Sequence, residues 1–315
     1  MNSIDILVSE VGPRDGLQNS SSIMPTAAKE AWIRAEADAG VREIEVGSFV
    51  PAKLMPQLAD TAEVVRLARK IEGLSIAALV PNYRGAEDAV RAGAHKISIP
   101  FSVSATHIQR NLKRTHAEML DEIRQIARML QDVPAAERPF FEGGLATAFG
   151  CSIEGPIDEN SVVRFAEELM AAGCDEVGLS DTTGYANPVQ VRRLVRSVKN
   201  AVGDDKITGV HLHNTRGLGL ANALAAIDEG ITTIDSSLGG LGGCPAAPGA
   251  SGNIVTEDLV FMLESMGLNT GIDIEKLLGV RQILVDAIPN EQLYGFTPDA
   301  GLPIGFDKGL AHVGT

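Results

Sequence analysis

The stretch Ala39-Gly40-Val41-Arg42-Glu43-Ile44 carries the pattern that predicts the fold: a helical run ends at a glycine, and a strand-like run begins three or four residues later. Glycine just past a helix end permits the left-handed backbone that terminates the helix. The same pattern returns around Gly93, Gly173 and Gly230. Repeated helix-to-strand turns of this kind predict βα units and a parallel sheet.

Short β-branched runs between helical stretches predict eight strands, at about 4–11, 43–49, 75–80, 96–101, 140–148, 176–180, 207–213 and 232–238. Eight βα units in one chain of this length predict a closed (β/α)8 barrel, an α/β fold. An open nucleotide-binding sheet is the weaker interpretation, because no Gly-x-Gly-x-x-Gly follows the first strand and no Walker-type motif occurs. We predict a single domain in which 1–272 form the barrel and 273–315 add one helix and a tail.

The overall charge restricts the partners. The chain has 315 residues, 27 of them Lys or Arg and 41 Asp or Glu, which gives a formal charge of −14. Phosphate attraction needs a basic surface, so a general nucleic-acid binder is excluded. No apolar run approaches the roughly 18 residues that cross a bilayer, and no charged n-region precedes an apolar core. We therefore expect a soluble, cytoplasmic protein with no membrane partner.

His211 and His213 lie where the seventh predicted strand ends. Residues two apart in a strand point the same way, so both imidazoles can reach one ion. A pair of hydrogen-bonded polar residues at the barrel mouth is an equally good interpretation of His-x-His alone. In (β/α)8 barrels the chemistry lies at the C-terminal strand ends, and among the histidines only these two lie at such an end.

Charged residues also mark the ends of the first two strands. Glu10-Val11-Gly12-Pro13-Arg14-Asp15 ends the first strand, and the second passes through Glu45. In isolation, Arg14 beside Asp15 favours a simple ion pair. However, the Asp15 carboxylate also offers an oxygen ligand for a metal ion, on the same rim as the two imidazoles. Glu45 lies among apolar neighbours and needs a partner if it is buried, for which Arg14 is the nearest candidate.

A glycine-rich segment, 239–253, follows the eighth strand and holds Cys244. So many glycines cannot pack a core, which predicts a mobile lid bearing one thiol. Asn253 precedes a helix that we expect to begin near Ile254. Asn253 is therefore either the N-cap of that helix or an oxygen-donating ligand, and the local sequence does not choose between them.

Together these motifs resemble the 3-hydroxy-3-methylglutaryl-CoA lyase family of metal-dependent barrels, which is similar to the isopropylmalate and homocitrate synthases. The resemblance runs from Val8 to about Leu278. It is most specific in Glu-Val-Gly-Pro-Arg-Asp-Gly-Leu-Gln-Asn at 10–19 and in Gly-Leu-Gly-Gly-Cys-Pro at 240–245. It implies retro-Claisen cleavage of an acyl-CoA thioester to acetyl-CoA and a 3-oxo acid such as acetoacetate, with no organic cofactor. We also expect a homodimer formed through the final helices.

The resemblance also implies roles for single residues. Arg14 is expected to stabilise charge on the thioester oxygen with Glu45 orienting it, and Cys244 to take part in proton transfer. The expected ligands of a divalent cation, Mg²⁺ or Mn²⁺, are Asp15, His211, His213 and Asn253. The expected catalytic set is Arg14, Glu45, Asp181, His211 and Cys244, with Asp181 as an acid/base or orienting group. The expected substrate contacts are Arg14, Gln18, Ser48 and Thr182.

The chain departs from the family pattern near the acyl end of the substrate. Glu142-Gly143-Gly144 stands where Arg-Gly-Tyr is usual, and Ala246 where an aromatic residue is usual. These changes predict a pocket for a larger or less polar 3-alkyl group. A condensing acyltransferase or a 4-hydroxy-2-oxo acid aldolase is the alternative on the same barrel. A non-catalytic, metal-binding scaffold is the alternative from another class.

Overall fold

The computed structural model of the chain describes residues 3–242 and 252–306. Eight parallel strands close into a barrel in chain order, with the eighth strand bonded to the first. They are β1 (Leu7–Glu10), β2 (Glu43–Ser48), β3 (Ser75–Leu79), β4 (Lys96–Ser102), β5 (Phe140–Ala146), β6 (Glu176–Asp181), β7 (Gly209–Leu212) and β8 (Thr233–Ser236). The predicted (β/α)8 barrel and its eight strands are confirmed, although β1 begins three residues later than expected.

Helices surround the barrel. They are α1 (Thr26–Ala39), α2 (Thr61–Ala68), α3 (Tyr83–Ala92), α4 (Ala105–Leu112), α5 (His116–Gln131), α6 (Glu159–Ala172), α7 (Pro188–Val202), α8 (Gly219–Asp228), α9 (Thr256–Ser265), α10 (Ile274–Ala287) and α11 (Phe296–Ala300). None of these helices is long and apolar enough to cross a membrane.

The C-terminal segment holds two helices where the sequence predicted one. The helix α10 packs against α1, and the short α11 packs against α9. A helix of five residues is too short to show an apolar period, and Pro298 lies within it. The segment therefore looked like a glycine- and proline-rich tail in the sequence.

The glycines that end the helices behave as predicted. Gly40, Gly93 and Gly173 follow α1, α3 and α6 in the left-handed region, with φ of 110°, 90° and 107°. A Cβ on Gly40 would lie 2.2 Å from the carbonyl oxygen of Gly271, so that position also excludes a side chain for lack of space. These turns direct the chain from each helix into the next strand.

Alternation along the strands gives the barrel a polar interior. On β4, Ile97 and Ile99 are fully buried beneath the helices, whereas Ser98 and Pro100 point the other way and keep partial exposure. The N-terminal end of this interior holds Lys96, whose ammonium nitrogen lies 2.5 Å from Glu142 and 3.3 Å from Glu176. Glu142 stands at the start of β5, so its charge is balanced there by Lys96 and not presented at the C-terminal rim.

Candidate active site and metal centre

The turn after β1 brings Arg14 and Asp15 to the C-terminal rim of the barrel. Gly12–Gly16 form one wide helical turn, in which the backbone amides of Arg14 and Asp15 donate to the carbonyl of Val11 at 3.1 and 2.7 Å. Pro13 fits near the start of this turn because a first-turn residue needs no amide donor. Two adjacent charged side chains are thereby fixed beside the ends of β7 and β8.

Asp15, His211 and His213 meet there, and one potential ligand atom from each lies within 4.8 Å of the others. The Nε2 atoms of the two histidines are 3.0 Å apart, and His211 Nε2 is 3.9 Å from Asp15 Oδ2. Two ligand atoms that each lie about 2.1 Å from one metal ion, with a right angle between the two bonds, are about 3.0 Å apart. Three of the four side chains that the sequence predicts as ligands are therefore close enough together to fit one cation.

The two imidazoles have different electrostatic surroundings. Burial, and to a lesser extent the neighbouring His211, lowers the pKa of His213 to about 4. Burial also acts to lower the pKa of His211, but its hydrogen bond with Asp235 and the charge of Asp15 outweigh burial and raise it. A neutral imidazole is the form that binds a metal, so His213 is held ready as a ligand.

Arg14 lies between two carboxylates. Its guanidinium donates to Glu45 and to Asp15, which is the ion pair with Glu45 that the sequence predicted. Burial acts to raise the pKa of Asp15, but Arg14 and then His211 outweigh it and hold the pKa at about 2. Burial raises the pKa of Glu45 in spite of Arg14. The Ser98 hydroxyl donates to Glu45 at 2.9 Å and fixes the orientation of this carboxylate.

Asn253 lies next to Asp15 and is not a helix cap. Its amide nitrogen donates to Asp15 Oδ2 at 2.8 Å and to the carbonyl of Leu241 at 3.0 Å. The N-cap of α9 is Val255, two residues further on, so the N-cap interpretation is wrong. Both partners are acceptors, which fixes the amide with its nitrogen toward Asp15. Ligation by the amide oxygen stays a prediction.

Asp181, at the end of β6, binds the loop that follows it. One carboxylate oxygen accepts from the amide of Tyr185 at 2.8 Å, and the other accepts from Ala186 at 3.1 Å. Burial raises the pKa of Asp181 to about 6, against these two hydrogen bonds. Because both oxygens are engaged by backbone, the arrangement favours the orienting role over the acid/base role.

Of the remaining predicted residues, one contacts the group of Asp15, His211 and His213, and two others lie on the barrel rim around it. The Gln18 amide donates to Asp15 at 2.5 Å, within the cluster. The Ser48 hydroxyl accepts from Val50 at 3.3 Å, and that of Thr182 accepts from Thr147 at 2.9 Å, so both hydroxyls bind rim backbone. Cys244 and most of the predicted lid, 243–251, lie outside the described residues, and the expected role of Cys244 stays a prediction.

Sequence reasoning missed Asp235. It lies on β8 directly beside His211 of β7 in the sheet register. Its Oδ2 atom is 3.1 Å from His211 Nδ1. Only the register between the two strands identifies this neighbour, because an aspartate followed by serines near a strand end suggests an ordinary turn.

Comparison with known proteins identifies relatives along almost the whole chain. Residues 5–284 match the model of the HMGL-like family. The hydroxymethylglutaryl-CoA lyase of Bacillus subtilis is 40% identical over 273 residues, which cover 87% of this chain and 90% of that protein. The mitochondrial hydroxymethylglutaryl-CoA lyase of Mus musculus is 38% identical over 283 residues, which cover 90% and 86%.

A similar solved structure is an HMG-CoA lyase from Acinetobacter baumannii in complex with coenzyme A and 3-methylmalate. It matches this structure with a TM-score of 0.88 and 39% sequence identity, over 98% of this chain and 99% of that one. The match therefore extends over both the barrel and the C-terminal helices.

Proposed function

The chain belongs to the HMGL-like family, and from that premise we propose that it cleaves 3-hydroxy-3-methylglutaryl-CoA to acetyl-CoA and acetoacetate. It is a carbon–carbon lyase. The observation that carries the proposal is the meeting of Asp15, His211 and His213 beside the Arg14 guanidinium. A metal-ligand cluster next to a fixed cation suits a reaction that moves negative charge from a hydroxyl oxygen to a thioester oxygen.

The proposed reaction breaks the bond between carbons 2 and 3 of the acyl group. The 3-hydroxyl loses its proton, and its oxygen becomes the ketone oxygen of acetoacetate. The electron pair of the broken bond forms the enolate of acetyl-CoA, and a proton then returns to carbon 2. Every atom is thus accounted for by proton transfer and bond cleavage, so no oxidant or reductant is consumed.

We propose that Arg14 stabilises the enolate. Its guanidinium is held by Glu45 and Asp15, and Glu45 is held in turn by Ser98. A donor that is already oriented needs no rearrangement when charge develops on the thioester oxygen, and one such donor is worth about 10²–10³ in kcat. The neighbouring carboxylates raise the pKa of Arg14 above its usual range against the effect of burial, so the side chain stays charged.

Asp15, His211, His213 and the amide oxygen of Asn253 would hold the divalent cation, for which we propose Mg²⁺ or Mn²⁺. Two oxygens and two imidazoles form a mixed donor set that suits these ions and leaves further positions open. When bound, the cation supplies a lower pKa for the substrate hydroxyl and a fixed position for it. Gln18 and Arg14 keep the Asp15 carboxylate oriented toward the two histidines.

The barrel interior leaves space for a longer branch on carbon 3. A Cβ on Gly144 would meet only the carbonyl oxygen of Ile99, at 3.7 Å. Its neighbours in register, Pro100 on β4 and Gly178 on β6, are also small. We propose that the enzyme accepts 3-alkyl groups larger than methyl.

We propose a homodimer formed through the C-terminal segment. Val285 of α10, Phe296 of α11 and Ile304 all expose large apolar side chains, and Phe296 is 82% exposed. Large apolar side chains left in solvent along one segment suggest a surface that another chain covers. Light scattering of the full chain tests this, and a monomer at micromolar concentration would contradict it.

The test of the function is incubation of the purified chain with 3-hydroxy-3-methylglutaryl-CoA and Mg²⁺. We expect acetyl-CoA and acetoacetate in equal amounts, loss of turnover with EDTA, and recovery with Mg²⁺ or Mn²⁺. Homologues with ethyl or longer branches are tested in parallel with Gly144→Val. This variant should lose more kcat/KM for the longer branches than for the methyl substrate.

The alternatives give different results in the same assays. Cleavage of none of these thioesters would contradict the lyase. Release of free thiol from acetyl-CoA and a 2-oxo acid would support the condensing acyltransferase, and cleavage of a 4-hydroxy-2-oxo acid would support the aldolase. Binding of Mn²⁺ without any turnover would support the scaffold.

A further inference from the structure

Asp235 contacts His211 from the side of the ring that faces away from Asp15 and His213. Its Oδ2 atom lies 3.1 Å from His211 Nδ1, while the other ring nitrogen, Nε2, lies 3.0 Å from His213 Nε2. Strand register explains the contact, because His211 and Asp235 are partners on β7 and β8 and both face the barrel interior. The carboxylate and the other candidate ligands thus lie at opposite edges of one imidazole ring.

This arrangement selects the tautomer of His211. A carboxylate accepts hydrogen bonds, so Nδ1 must carry the hydrogen and donate it to Asp235. In the neutral ring, which is the form that binds a metal, Nε2 then carries the lone pair, and Nε2 is the nitrogen that faces Asp15 and His213. An outer carboxylate of this kind fixes both the tautomer and the ring rotation of a metal-binding histidine.

His213 has no such support. Its Nδ1 atom is buried and has no hydrogen-bond partner within 3–242 and 252–306. Its position is set by the backbone, through a bridge between His213 and Asn253. Removal of the Asp235 carboxylate should therefore act on His211 and leave His213 in place.

The charge around the cluster gives a second reason for Asp235 to act with a cation. Asp235 interacts electrostatically with Arg14, which is favourable, and with Glu45, which is not. The carboxylates of Asp15, Glu45 and Asp235 outnumber the single guanidinium among them by two charges. With both histidines neutral, a divalent cation would bring this group of side chains to neutrality.

We propose that Asp235 is a positioning residue that holds His211 with its Nε2 lone pair directed at the cation and thereby sets the affinity of the site for that cation. The proposal rests on the proposed metal-dependent function. Asp235 contacts the ligand rather than the substrate, so its effect should appear in cation binding before it appears in catalysis.

The experiment measures Mn²⁺ binding to the full, metal-stripped chain by calorimetry, for wild type, Asp235→Asn and Asp235→Ala. Loss of the hydrogen-bond partner of a metal-binding histidine typically weakens metal affinity by about 10–100-fold, and we expect this loss of Mn²⁺ affinity in Asp235→Ala. Asparagine retains an acceptor oxygen without the charge, so Asp235→Asn should lose less. The matched control is Asp228→Asn, an exposed aspartate on α8 that pairs with Arg192 and should bind Mn²⁺ as wild type does.

Turnover of 3-hydroxy-3-methylglutaryl-CoA then separates positioning from catalysis. Saturating Mn²⁺ should restore most of kcat in Asp235→Ala and leave KM for the thioester unchanged. Wild-type Mn²⁺ affinity in either folded Asp235 variant would overturn the proposal, and so would a wild-type chain that binds no Mn²⁺. Failure of the proposed function would look different: a wild-type chain that binds Mn²⁺ tightly but cleaves no thioester.

Discussion

Replacement of Arg14 by methionine should damage catalysis and folding by separate amounts. Loss of the preformed donor to the thioester oxygen should lower kcat by about 10²–10³, or about 2.7–4 kcal/mol in the activation free energy. The side chains of Asp15 and Glu45, 9% and 7% exposed, would be left without their cation. Breaking a buried ion pair from one side costs about 3–5 kcal/mol of folding free energy. Because Asn253 and Ser98 still donate to these carboxylates, we expect a value at the low end.

The assay combines kcat for 3-hydroxy-3-methylglutaryl-CoA at saturating Mg²⁺ with chemical denaturation of each variant. Arg14→Lys retains the charge but not the forked contact with two carboxylates, so it should fall between wild type and Arg14→Met. Arg34→Met is the control, because Arg34 is 48% exposed and pairs with Glu30 on the surface of the same helix. That pair is worth about 0.3–0.5 kcal/mol, and kcat should not change.

Two results would refute this reasoning. A folded Arg14→Met protein with kcat close to that of wild type would show that Arg14 does not stabilise the transition state. A loss of kcat that only follows the loss of folded protein, measured by circular dichroism, would show that Arg14 acts through folding alone.

Three further predictions concern stability. Burial raises the pKa of Glu10 to about 8, so the folded state favours the protonated carboxyl. The resulting contribution to the unfolding free energy is complete below pH 4.5 and is lost as the pH rises through about 8. In Glu10→Gln the fall of unfolding free energy over that window should lessen by up to about 1.4 kcal/mol per pH unit, and an unchanged pH dependence would contradict the assignment. Gly40→Ala should destabilise the protein by more than about 1 kcal/mol, because the new Cβ would meet the Gly271 carbonyl. Gly279→Ala, within α10, should stabilise it by about 0.5–1 kcal/mol, because a Cβ there meets nothing within 4 Å. Equal midpoints of urea unfolding for the two variants would contradict this. Mn²⁺ should raise the melting temperature of the metal-stripped wild type but not that of His213→Ala, and an equal rise in both would argue against His213 as a ligand.

Much of the fold could be predicted from the sequence because its signals are local. A glycine such as Gly173, which must adopt a positive φ after a helix, stands within a few residues of the strand that it introduces. The ligand pair His211 and His213 is also local, since two residues of one strand share a face. The ion pair between Arg14 and Glu45 was predictable because a carboxylate among apolar residues needs a cation, and few cations are near.

The sequence by itself determined the barrel, the order of its strands and the types of side chain at its rim, because periodicity, turn chemistry and charge are properties of neighbouring residues. Only the tertiary structure decided which distant side chains touch. The register of β7 against β8 put Asp235 against His211, and the return of the chain after β8 put Asn253 on Asp15 instead of on the start of α9. It also put Glu142 against Lys96. These contacts depend on how eight strands are offset when a sheet closes on itself, and that offset is set by the packing of the whole barrel and not by any single segment.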